Sequence, residues 1–136
     1  MKINRRGLAL WGVYGAFAAT VVYSYWYPAM LQFGGPLGSI KIMVWAALVG
    51  FLIYSVHCSL REDLFRSVGT IAKMYWGRQI GADLYLGLFV GIFIIYLNEG
   101  ALVALCWLLP TLAFANLSVL LYVAVNFDTI VAKLMI

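Results

Sequence analysis

Four stretches of this chain each run for about twenty residues with at most one charged side chain, and that limits the fold more than any motif does. They extend from about Gly7 to Tyr27, Ile40 to Leu60, Ile80 to Asn98 and Ala101 to Val125. An α-helix rises about 1.5 Å per residue, so roughly 20 apolar residues span the ~30 Å hydrocarbon core of a bilayer. Membrane barrel strands alternate over about ten residues, and these runs are too long and too evenly apolar for that. The expected fold is therefore all-α and integral to a membrane, a four-transmembrane-helix bundle forming one domain over residues 1–136. Only 10% of the residues are charged and 65% are hydrophobic. A soluble domain carries about a quarter charged residues, so this chain has too little charge to cover a surface facing water.

The first run follows the basic leader "KINRR" and passes "AFA" at 16–18, which mimics a signal-peptide cleavage site. Apolar character continues beyond it to Tyr23, so the run is read as a helix that stays. Basic residues then suggest an orientation. Lys2, Arg5 and Arg6 precede the first run, Arg61, Arg66, Lys73 and Arg78 lie between the second and third, and Lys133 follows the fourth. Four crossings would put all of these on one side, with Lys41 alone on the other. The excess of Lys and Arg on cytoplasmic loops makes that side cytoplasmic, so both termini are expected there. Lys41 is expected to extend its ammonium to the headgroups. The net charge of +4 then reflects topology and contact with anionic lipid, and gives no ground for nucleic acid as a partner. The expected location is the inner (plasma) membrane of a bacterium.

The connecting segments differ in kind. "YSYWYP" at 23–28 is rich in aromatics that suit a membrane interface, either as an anchoring belt or as an entrance for a lipid or quinone tail. In the segment beginning "REDLFRSVG", Leu64, Val68, Ile71 and Tyr75 share a helical face, which predicts an interfacial helix over about 62–76, bent near Gly69. Small residues four apart allow close helix packing at Gly15 and Ala19, Ala46 and Gly50, and Gly87 and Gly91. Pro110 is expected to kink the fourth helix, with Thr111 satisfying a freed carbonyl.

Each expected helix places one polar side chain at a similar depth: Tyr14, His57, Asp83 and Asn116. Ionisable groups in a membrane are costly and commonly face a bundle interior or a wet cavity, and a His with an Asp can relay a proton. Asp83 and His57 also lie near helix ends, where water and the helix dipole can accommodate them without any function. Glu99, in the tight turn "NEG", is an outer-side acid that can cap the fourth helix or bind a cation. Cys58 and Cys106 differ in depth by roughly 20 Å at 1.5 Å per residue, too far for a disulfide. His57 and Cys58 lack the further ligands of a closed metal site, so no metal is expected. No P-loop, HExxH or GxSxG motif is present, and no catalytic residue is assigned. No cofactor is expected, with a lipid or quinone left open.

The stretch "WGRQIGADLYLGLFVGIFIIYLNEGALVALCW", Trp76 to Trp107, resembles small four-helix membrane families of bacteria and plants whose function is uncharacterised. The resemblance lies in the pair Asp83 and Leu84 opening one helix, Glu99 at its far end and Trp107 in the next. It implies a fold and no activity. Short loops and the absence of a catalytic motif point first to an accessory or scaffold subunit of a larger membrane complex. Its partners would be the lipid bilayer and other membrane subunits, or copies of itself. One alternative is a small oligomeric transporter or channel using the polar layer. Another is a membrane enzyme acting on a lipid or quinone, with His57 or Asp83 as base.

Overall fold

A computed structural model of the chain describes residues 5–135, and among them every regular element is an α-helix. Three helices are long and apolar enough to cross a membrane: α1 (Arg5–Ser24), α2 (Gly38–Arg61) and α4 (Tyr75–Glu99). Between α2 and α4 lies α3 (Leu64–Ile71), and after α4 come α5 (Ala101–Phe114), α6 (Asn116–Val125) and α7 (Phe127–Leu134). Taken together α6 and α7 reach spanning length, but they are bent by 74° against each other. By length and composition there are therefore three candidate spans, or four if that bent pair is one.

The expected fourth helix over 101–125 is corrected by the structure. α5 ends at Phe114, where the Ala115 N–H bonds to the Thr111 carbonyl at 2.8 Å. Ala115 then takes a φ of +51° and reverses the chain. Beyond the reversal the Thr111 hydroxyl donates to that of Ser118 at 3.3 Å, and the rings of Trp107 and Tyr122 meet edge to face at 5.0 Å. In one straight helix Trp107 and Tyr122 would be separated by about 22 Å. α5 and α6 are therefore an antiparallel hairpin of 14 and 10 residues. At about 21 and 15 Å, neither arm matches a hydrocarbon core of ~30 Å. Pro110 stays inside α5, and the break falls five residues later.

α7 and the start of α1 are far apart in the bundle. α7 lies beside the start of α2 and the end of α4: Asp128 pairs with Lys41, and Lys133 donates to the Asn98 carbonyl. Arg5, at the start of α1, is at the opposite end of the bundle. Lys133 and the start of α1 thus lie at opposite ends of the bundle, because the last apolar run folds back on itself.

α6 forms the centre of the bundle and packs against α1, α2, α4 and α5. Its Leu117, Leu121, Tyr122, Ala124 and Val125 are buried with Tyr14, Val21, Leu48, Ile95 and Trp107 from the surrounding helices. The outward faces carry exposed apolar side chains such as Phe89, Phe93, Leu102 and Leu109, a surface suited to hydrocarbon. Of the small-residue pairs, Gly91 alone receives a neighbour, the side chain of Val119 on α6. Gly15, Gly50 and Gly87 face open space. α3 begins at an Asp63 cap whose Oδ1 accepts from the N–H groups of Phe65 and Arg66, and Gly69 falls within the helix. Its Leu64, Phe65, Val68 and Ile71 are exposed.

Candidate functional site

The hairpin tip is held from two sides. The Tyr14 hydroxyl on α1 donates to the Leu117 carbonyl at 3.1 Å, and the Tyr14 ring packs edge to face on Phe114 at 5.0 Å. On the other side Val119 fits against Gly91 of α4. Tyr14 is near the middle of α1, so the tip ends partway along the bundle. Below it, toward α3, a cavity of about 420 Å³ opens. Its wall combines Leu10, Trp11, Phe51, Tyr54, Leu84 and the tip residues 113–117 with polar groups from Ser55, Cys58, Ser59, Glu62 and Ser67.

Several of these polar groups are already occupied. The Ser55 hydroxyl donates to the Phe51 carbonyl at 2.7 Å, and the Ser67 hydroxyl donates to Glu62 at 3.1 Å. Trp11 lines the cavity, and its indole N–H is buried without a partner among the described residues. At the tip, α6 starts without a side-chain cap, so its first N–H groups are not satisfied from that source.

Ala115 is the only non-glycine residue at positive φ among those described, a conformation that costs roughly 1–3 kcal/mol without the freedom of glycine. Ala115→Gly should remove that strain and, after the extra chain entropy of glycine, raise stability by about 1 kcal/mol. Ala115→Val should lower it, because a β-branched side chain tolerates positive φ poorly. Thermal melting of the detergent-solubilised protein reads both effects.

A second polar cluster lies at the opposite end. Glu99 Oε2 accepts from the Tyr25 hydroxyl at 2.9 Å and from the Tyr122 hydroxyl at 3.0 Å. Asn98 Nδ2 bonds the Tyr122 hydroxyl at 2.6 Å. Glu99 therefore ties the end of α4 to α6 and to the segment just after α1; Gly100 precedes α5, which has no side-chain cap. Nearby, Lys41 Nζ donates to the carbonyls of Ala29 and Gln32 and to Asp128 Oδ2, at 2.8, 3.0 and 2.8 Å. The expectation that Lys41 extends to the headgroups is corrected: its side chain is 3% exposed. Tyr27 also donates to Asp128 at 2.8 Å. Burial acts to raise the Asp128 pKa, but the bonds from Lys41 and Tyr27 outweigh it and hold the carboxyl below its ordinary value. Burial, with the Asp128 carboxylate beside it, pushes the Tyr27 phenol up to about 12. Of the remaining "YSYWYP" aromatics, Tyr23 and Trp26 are exposed.

The four residues of the expected polar layer divide into two groups. Tyr14 is buried against the hairpin tip and Asn116 is part of the tip at the cavity. His57 and Asp83 are exposed on α2 and α4 and lie outside the cavity wall. Cys58 and Cys106 are free and exposed, and no group of three or more His, Cys, Asp or Glu is gathered for a metal among the described residues. Sequence reasoning did not single out Trp11, Ser59, Glu62, Ser67 or Ala115 as site residues. None of them belongs to a motif, and only the folding back of residues 101–125 brings the tip over them.

Compared with known proteins, the chain matches no family model, no curated protein and no solved structure. What the fold and site define is a small all-α protein with several long apolar helices and an internal polar network.

Proposed function

We propose that this chain is a small, self-associating membrane transport protein, and that the hairpin tip with the cavity beneath it forms part of its pathway. The observation that carries this is the reversal at Ala115, partway along the bundle and above a cavity. Non-helical backbone at membrane depth is stable where protein encloses it or where it lines a cavity, and short half-helices that meet partway across are a recurrent way to build a transport site. Self-association follows from the small number of helices and from the open glycine faces of α1 and α2.

The charge distribution supports an orientation. Near the α3 end stand Arg5, Arg6, Arg61, Arg66, Lys73 and Arg78 against Glu62, Asp63 and Asp83, six minus three or +3. At the α7 end, Lys41 and Lys133 balance Glu99 and Asp128. The α3 end is accordingly assigned to the cytoplasm and α7 to the outer face, with three full crossings in a plasma membrane, a bacterial inner membrane by preference.

The test is reconstitution into proteoliposomes, followed with an entrapped pH-sensitive dye and, in parallel, with a fluorescent phospholipid placed in one leaflet. Protein-dependent movement of protons or lipid is expected, slowed about ten-fold by Asn116→Leu and changed little by Asp83→Asn. No movement of either probe would sink the proposal. A stoichiometric foreign subunit retained in native mass spectrometry, together with that negative result, would favour the accessory-subunit reading.

A further inference from the structure

The cavity continues toward α3, where a second niche of about 510 Å³ is lined by Arg61, Glu62, Asp63, Arg66, Ser67, Thr70 and Ile71. Glu62 and Ser67 line both spaces. The two differ in chemistry: the first is walled chiefly by aliphatic and aromatic side chains, the second chiefly by polar ones. In the second, two carboxylates neighbour two guanidinium groups, and each carboxylate has a partner on one oxygen. Asp63 accepts from two backbone N–H groups of α3, Glu62 accepts from Ser67, and the Thr70 hydroxyl donates to the Arg66 carbonyl. The guanidinium groups of Arg61 and Arg66 make no hydrogen bond or ion pair among the described residues. The two arginines thus leave ten guanidinium N–H donors unspent, at about five per arginine.

We infer that the paired spaces hold one anionic phospholipid, its headgroup phosphate on Arg61 and Arg66 and an acyl chain under the hairpin tip. Guanidinium forks match phosphate oxygens in pairs, and a wall of leucine and aromatic side chains suits hydrocarbon. The volume of the inner space is in the range of small-molecule sites, about 300–1,000 Å³. The exposed Leu64, Phe65, Val68 and Ile71 of α3 would place the niche at headgroup level. The inference names the substrate class of the site proposed above, and rests on reading that cavity as the functional one.

The experiment is native mass spectrometry of the full-length protein extracted from membranes in mild detergent. One bound phospholipid of the anionic class is expected per chain. Arg61→Ala with Arg66→Ala, and separately Ser59→Phe, which fills the inner space, should each lower its retention about ten-fold with the melting temperature unchanged. Equal retention of zwitterionic and anionic phospholipid, a fatty acid in place of the phospholipid, or retention unaffected by variants that keep their melting temperature would overturn the inference. Should the variants fail to fold, maleimide labelling of Cys58 decides in a Cys106→Ala background. Added phosphatidylglycerol should slow the reaction about ten-fold and phosphatidylcholine should not; equal slowing or none overturns the inference. A retained lipid without movement of either probe in proteoliposomes overturns the transport reading alone. Proton movement without a retained lipid overturns this inference alone.

Discussion

Gly91→Leu is expected to lower the stability of the protein by about 3 kcal/mol, the upper end of the usual cost of overpacking. A Cβ at position 91 would stand 2.8 and 2.9 Å from the two methyl groups of Val119, closer than real side chains come. Valine is β-branched and stiff at χ1, so it cannot swing both methyls away. The strain must then move α6, which is anchored below by Tyr14 on Leu117 and above by Tyr122 on Glu99. Gly91→Ala should cost about 1 kcal/mol by the same clash, and adding Val119→Ala should restore most of that, because contacting sites are not additive. Gly87→Ala is the control, since nothing lies within 4 Å of its Cβ. It should be neutral or slightly stabilising through helix propensity. Thermal melting followed by size-exclusion chromatography separates these outcomes. A Gly91→Leu protein that melts with the wild type would mean that α6 does not pack on α4 as described.

Removing the Asp128 carboxylate, as in Asp128→Ala, should cost about 2 kcal/mol and release α7. Stripping one partner from a fully buried ion pair typically costs 3–5 kcal/mol, because a charge is left without compensation in a poorly solvated place. The pair here is lopsided, with the Lys41 side chain 3% exposed and that of Asp128 44%, so water near Asp128 reduces the loss. Two carbonyls still hold the ammonium. The direction of the Asp128 shift predicts the pH behaviour. Its folded-state pKa is below the ordinary value of 3.8, so the unfolded chain takes up the proton first as acid is added. The stabilisation is fully present above about pH 5 and fades as pH falls through 3.8 toward the folded-state value. Limited proteolysis after Asn126 reads the release: wild type should become sensitive only in that acid range, and Asp128→Ala at neutral pH. Equal resistance of the variant at pH 7 would show that the clasp contributes little.

Much of the helical framework could be read from the chain alone, for an energetic reason. Backbone groups cannot go unpaired in hydrocarbon, so a long run of apolar residues must be helical to be stable there. The α3 segment was readable in part, because Leu64, Val68 and Ile71 recur at helical spacing; the helix ends at Ile71, however, and Tyr75 opens α4. The geometry of the candidate site was legible only in part. Tyr14 and Asn116 were picked out as polar residues in apolar helices, and both are at the hairpin tip. His57 and Asp83 met the same criterion and face outward, because counting residues gives depth along a helix and nothing about rotation relative to its neighbours.

The last apolar run is where local signals failed. Residues 101–125 carry one proline and no glycine, and the proline is inside a helix. The chain reverses at an alanine that has no intrinsic preference for positive φ. That choice is stabilised by Tyr14 from α1 and the Gly91 notch of α4, contacts 103 and 28 residues away along the sequence. The same reversal carries Asp128 and Lys133 to the end of the bundle where Lys41 and Asn98 wait. Composition and the spacing of charges by themselves determined an all-α chain with long helices fit for a bilayer, since that follows from hydrogen bonding and solvation residue by residue. Whether the final run stays one helix or folds back was decided only by tertiary packing, because the reversal strains Ala115 and leaves helix ends uncapped, costs that only side-chain contacts with distant helices offset.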